Sequence, residues 1–146
     1  MSNIDDFLDS WVDVADVIPD LGTEPFFIAI DRHHDLINKL RNEEFEVREI
    51  DVADSQSDKD FVVKFGRSID APAHFGENWD ALNDVLRERA STGAWKIAVV
   101  ILGGHAFAAQ NLHDYTRMTS ILHAMSERMS NIEEPIGQLE IFYIEG

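Results

Sequence analysis

The stretch WKIAVVIL, residues 95 to 102, carries one charged side chain in an otherwise unbroken apolar run. A strand of that kind is stable only where both faces of its sheet are covered, so it demands helices on either side. FFIAI at 26–30 is a second continuous apolar run, read as a strand buried on both faces. EVREIDV at 46–52 and QLEIFYI at 138–144 read as two further strands.

Helical patterns lie between these runs. Leu36, Ile37 and Leu40 share a stripe in HHDLINKLRNEE. Ser57 with Asp60 three residues on resembles a capping box for a short helix carrying Phe61, Val62 and Phe65. Leu112, Tyr115, Met118, Leu122, Met125 and Met129 mark a long amphipathic helix, and its methionines read as core. Strands alternating with helices predict an α/β fold, with a small, mainly parallel β-sheet packed with helices. With 146 residues and no long linker or repeat, the chain reads as a single domain over 1–146.

Residues 1 to 22 hold six aspartates and no lysine or arginine. Ile4, Phe7, Leu8, Trp11 and Val12 nevertheless recur at helical spacing, with Asn3 as a candidate cap. This predicts an acidic N-terminal helix and loop whose apolar stripe docks on the body. Residues 24–45 then form a β-α unit ahead of a core at 46–146.

Charge and composition narrow the function classes. Twenty-eight acidic residues against 12 basic ones give a formal net charge of -16. Such a surface disfavours nucleic acid and anionic membrane and favours a basic protein partner, although plain solubility would also account for it. No apolar run approaches the roughly 18–20 residues that span a bilayer, and the N-terminus lacks the basic region of a secretory signal. The chain has no cysteine, which excludes disulfides and thiolate metal sites. A cytoplasmic location is the expectation.

In HFGENWDALNDVLRE, residues 74–88, two aspartates fall four apart on one predicted helix. Like charges at that spacing repel by a few tenths of a kcal/mol. Trp79, Leu82, Val85 and Leu86 form the inward side, while Asp80, Asn83, Asp84 and Arg87 point outward. Asn78 is the candidate N-cap, and Gly76 is expected to provide the tight turn into the helix. The helix dipole favours Asp80 in the first turn and does little for Asp84, which Arg87 could partly pair. Either the aspartates are ordinary surface residues, or they are an exposed pair for a basic partner.

The stretch PAHFGENWDALNDVL, residues 72–86, resembles the signature of the barstar family, intracellular protein inhibitors of secreted ribonucleases. Pro72, Phe75, Gly76, Glu77, Asn78, Asp80, Ala81, Leu82, Asp84 and Leu86 match that signature without a gap. The resemblance extends more loosely over 46–144, and residues 1–45 have no counterpart in the shortest members. It implies a barstar-like fold with an N-terminal extension, and no enzymatic activity. The implied function is an immunity protein that blocks the active site of a ribonuclease or related nuclease toxin. It places His74, Phe75, Gly76, Asn78, Trp79, Asp80, Asn83, Asp84 and Arg87 at the partner surface, with Asp84 as the central anion and Glu127 as a further contact. His74 stands where the family has a tyrosine and Asn83 where it has a tryptophan, which bears on which enzyme is the target. A barstar-like module with another target, or a small carboxylate-dependent hydrolase, are the alternatives.

Other patterns point to no cofactor and no metal. LGGHAFAAQN at 102–111 lacks the Walker pattern and reads as a flexible connection. His33, His34, His105, His113 and His123 show no metal-ligand spacing. An acid–base role for Asp80 and Asp84 would need a pocket that separates their pKa values, which an open helix face does not supply.

Overall fold

The computed structural model describes residues 3–72, 75–131 and 133–145. In chain order the elements are α1 (Asn3–Ser10), α2 (Val14–Val17), β1 (Phe26–Ala29), α3 (His33–Asn42), β2 (Glu46–Asp51) and α4 (Asp58–Ser68). These are followed by α5 (Trp79–Arg89), β3 (Trp95–Leu102), α6 (Gly104–Gln110), α7 (Leu112–Met129) and β4 (Gly137–Glu145). The four strands form one sheet in the order β1-β4-β3-β2, and every pairing is parallel. The fold is α/β, as the alternation of strands and helices predicts.

The period of two along a strand divides the core between the faces of the sheet. Ile97, Val99 and Ile101 of β3, with Leu139 and Ile141 of β4, meet Phe61, Phe65, Leu82, Leu86, Phe107, Met118, Leu122 and Met125. That face carries α4, α5, α6 and α7. Ala98, Val100, Phe142 and Ile144 face the other way, onto Leu36, Ile37 and Leu40 of α3 and onto Val14, Ile18 and Leu21 of the N-terminal segment. Central β3 and β4 are therefore buried on both faces, which is why β3 is apolar but for Lys96, while β4 also buries Gln138 and Glu140.

Five local expectations are corrected. FFIAI is not buried on both faces. β1 is an edge strand paired only with β4, so Phe26 and Ile28 are buried while Phe27 is 46% exposed. Ile30 leaves the strand for a short 3-10 turn and is 57% exposed. The 102–111 connection is ordered helix in its centre, because Phe107 of α6 is fully buried. Gly103 makes the turn into it at φ +74, where a Cβ would lie 2.6 Å from that of Ala53. Leu112 opens α7 but is 66% exposed, so the stripe starts one turn later.

The fourth correction concerns α4. Ser57 occupies its N-cap but makes no side-chain capping bond. Asp60 instead accepts the Gln56 N–H at 2.8 Å, and Asp114 of α7 accepts the Asp58 N–H at 3.1 Å. The cap comes from a distant helix. The fifth concerns the N-terminal segment, whose described residues 3–22 hold two helices rather than one. Phe7 is buried, but Leu8 and Trp11 are exposed, so only part of the stripe docks. α1 begins at Asn3, so the residue expected as its cap is the first of the helix. The docked segment is tied by Gln138 of β4, which accepts the Val12 N–H at 3.0 Å and donates to the Val12 carbonyl at 2.6 Å.

Among the described residues, no helix is long and apolar enough to cross a membrane.

Candidate functional site

The approach to α5 is built by packing. Phe75 donates its N–H to the Pro72 carbonyl at 2.8 Å, and its ring lies on Gly66 of α4, where a Cβ would come within 2.6 Å of it. The left-handed residue that turns the chain into the helix is Glu77, at φ +55, and not Gly76 as expected. Asn78 caps the helix as its sequence position predicts, accepting the Ala81 N–H at 2.8 Å. His74 lies outside the described residues.

Three tertiary anchors hold α5. Trp79 stacks on Phe61 at 5.7 Å between centroids and donates its indole N–H to Asp58 Oδ2 at 2.7 Å. The same oxygen accepts from Arg117 Nε of α7 at 3.0 Å. At the other end Arg89 grips Glu46 of β2 through both terminal nitrogens, at 2.8 and 3.0 Å. Burial opposes the charged form of Glu46, but hydrogen bonding and charge from Arg89, with the charge of Arg48, hold its pKa below the ordinary value. Trp95 of β3 donates its indole N–H to the Leu86 carbonyl at 3.0 Å. The helix is thereby fixed to α4, α7, β2 and β3.

This anchoring sorts the expected site residues. Asp80, Asp84 and Arg87 are exposed on the outer face, and no described side chain pairs with either aspartate. Arg87 does not form the expected pair with Asp84. Asn83 is half-buried, and its Oδ1 is shielded from solvent without a donor. Asn78, Gly76 and Phe75 hold the approach, with Phe75 packed against the core. Trp79 is half-buried and holds the helix from below. Glu127 of α7 is exposed but faces elsewhere: it pairs with His123 Nε2 at 3.2 Å, and His123 Nδ1 lies 2.9 Å from Glu24.

A groove of about 540 Å³ runs between α5 and α7. Trp79, Ile121 and Met125 line it, with Asn78, Asp80 and Asn83 on one wall and Arg117 and Arg128 on the other. Sequence reasoning found neither Asp58 nor these arginines, because no local period connects Asp58 to Trp79 or Arg117. Asp84 lies outside the groove, so the two aspartates share an open face and no common pocket. No cluster of histidine and carboxylate side chains suited to a metal occurs among the described residues.

No curated protein matches the chain. A family model described as Barstar (barnase inhibitor) matches residues 45–140. The match begins where β2 is about to start, takes in the whole of the anchored helix α5, and leaves α1, α2, β1 and α3 outside. With the parallel sheet and the signature helix both present, the chain belongs to the barstar family.

Proposed function

We propose that the chain is a non-enzymatic inhibitor that occupies the active site of a ribonuclease or related nuclease toxin with α5 and the loop before it. Membership of a family described as barnase inhibitors supports the class of activity. The observation that carries the reading is the state of Asp80 and Asp84: exposed, one helical turn apart, and unpaired within the described chain. Their mutual repulsion is a small local cost, tolerated because both charges serve a partner. Arginine or lysine side chains that bind RNA phosphates would meet them in charge-assisted, bidentate contacts. A net charge of -16 would speed encounter with such an enzyme. The cytoplasm is the proposed place of action, and no cofactor has a part in it.

The test is inhibition of RNA cleavage by a panel of secreted basic ribonucleases, barnase included, titrated with the purified chain. Stoichiometric loss of cleavage by at least one member, relieved by Asp84→Ala, is the expected result. Unchanged cleavage across the panel overturns the ribonuclease reading.

A further inference from the structure

We infer that the groove between α5 and α7 is a second contact of the inhibitory face, and that it receives an acidic side chain of the ribonuclease from the rim of its cationic cleft. The inference rests on the ribonuclease-inhibitor reading, because Asp80 belongs both to the aspartate face and to the groove wall. A body seated on Asp80 and Asp84 therefore overhangs the groove.

Three observations define what the groove accepts. Arg128 has no ion pair or hydrogen bond from its side chain to any described residue. Arg117 commits only its Nε, to Asp58. Two guanidiniums thus line the same groove as Asp80, on its opposite wall, in a chain with only 12 basic residues. A partner cation placed against Arg128 would be repelled, so this arginine counts against pure charge attraction. A carboxylate fits the guanidinium fork, which offers parallel N–H donors in one plane. The second observation is the Asn83 carbonyl oxygen, shielded from solvent and without a donor. A buried acceptor left in that state is costly, and turning the Asn83 amide into the groove would bring it to a partner N–H beside the carboxylate. The third is the room itself. Ser120 and Ala124 of α7 are small, and they leave the half-buried Trp79 and Ile121 open to an inserted side chain, above the buried Met125.

Bulk electrostatics and the groove predict opposite signs for one substitution. Arg128→Glu makes the protein more acidic, so attraction to a basic enzyme alone would tighten binding. Loss of a short, desolvated pair instead acts on dissociation. The experiment measures association and dissociation rates of wild type, Arg128→Glu, Arg41→Glu and Asp84→Ala on immobilised, catalytically disabled barnase and the other panel ribonucleases. Arg41 is exposed on α3, on the other side of the sheet, and controls for net charge. Dissociation about tenfold faster or more in Arg128→Glu, with Arg41→Glu within about twofold of wild type, is the expected result.

Unchanged or slower dissociation in Arg128→Glu, with Asp84→Ala still impaired, overturns the groove and leaves the inhibitor reading standing. Binding to no panel member, or Asp84→Ala equal to wild type, removes the reading and the groove with it. Light scattering of the free protein completes the test. A wild-type dimer that Arg128→Glu dissociates would assign the groove to a second copy of the chain and overturn the proposal.

Discussion

The indole N–H of Trp79 meets the Asp58 carboxylate at 2.7 Å and so joins the first turn of α5 to the first turn of α4. Because Arg117 holds the same oxygen, one acid positions three helices around the proposed inhibitory face. Asp58→Ala leaves the half-buried indole donor without its acceptor, and should lower stability by about 1–3 kcal/mol. The first turn of α5 should loosen with it. Urea denaturation checks the first effect, and a matching fall in affinity for the inhibited ribonuclease checks the second. Trp79→Phe keeps the ring on Phe61 and should cost less than Asp58→Ala, since Arg117 still pairs with the acid.

Asp84→Ala should weaken binding by more than about 2 kcal/mol, the usual threshold for a hot spot. Asp80→Ala should weaken it as well. Asp84→Ala should not lower folding stability, because Asp84 has no partner in the described chain and the repulsion is relieved. In Asp80→Ala that gain is offset by loss of a first-turn charge favoured by the helix dipole, which leaves stability near wild type. Calorimetric titration against the bound ribonuclease, beside a melting curve, separates the two effects. Wild-type affinity in both variants would exclude this helix face from the interface.

Glu140 of β4 predicts a pH dependence of the fold. Burial raises its pKa to about 7, and the nearby charges of Glu24 and Asp13 add to the rise against a hydrogen bond from Gln138. The folded pKa lies above the ordinary value of 4.5, so this group's contribution to stability is fully present below 4.5 and is lost as pH rises through about 7. The interval corresponds to roughly 3 kcal/mol. Glu140→Gln should match wild type near pH 4.5 and exceed it in stability above pH 7. A difference that stays constant across this range would show that Glu140 does not titrate in the window.

Removing residues 1–22 takes away buried Phe7, Val14, Ile18 and Leu21. Full burial of each such side chain is worth about 1.5–3 kcal/mol, so the melting point should fall clearly. Val14, Ile18 and Leu21 pack on the face of the sheet opposite α5, so affinity for the partner should stay within about twofold. An unchanged melting curve with lost binding would make the N-terminal segment a contact surface instead.

Much of this architecture is legible in the residues because the interactions concerned are local or periodic. The apolar run in 95–102 requires a strand covered on both faces, and the sheet places it at the centre beside the strand read at 138–144. Asn78 reaches only to Ala81, so its cap can be read from spacing within one turn. The outward direction of Asp80 and Asp84 follows from the helical repeat in the same way.

Long-range placement carries no such period. FFIAI has the character of a central strand, yet sheet order puts it at the edge, which exposes Phe27. The left-handed turn falls at Glu77 beside Gly76, where the packed Phe75 and the Asn78 cap set the path between them. Glu127 sits on the expected helix but pairs with His123 and does not line the groove that Asp80 lines. Asp58, Trp79 and Arg117 belong to three helices, and nothing in their sequence intervals brings them together. Local chemistry determines which segments are strands and which face of a helix is wet. Only packing of the helices on one twisted sheet decides which distant side chains share an oxygen atom, a groove wall or a partner-facing surface.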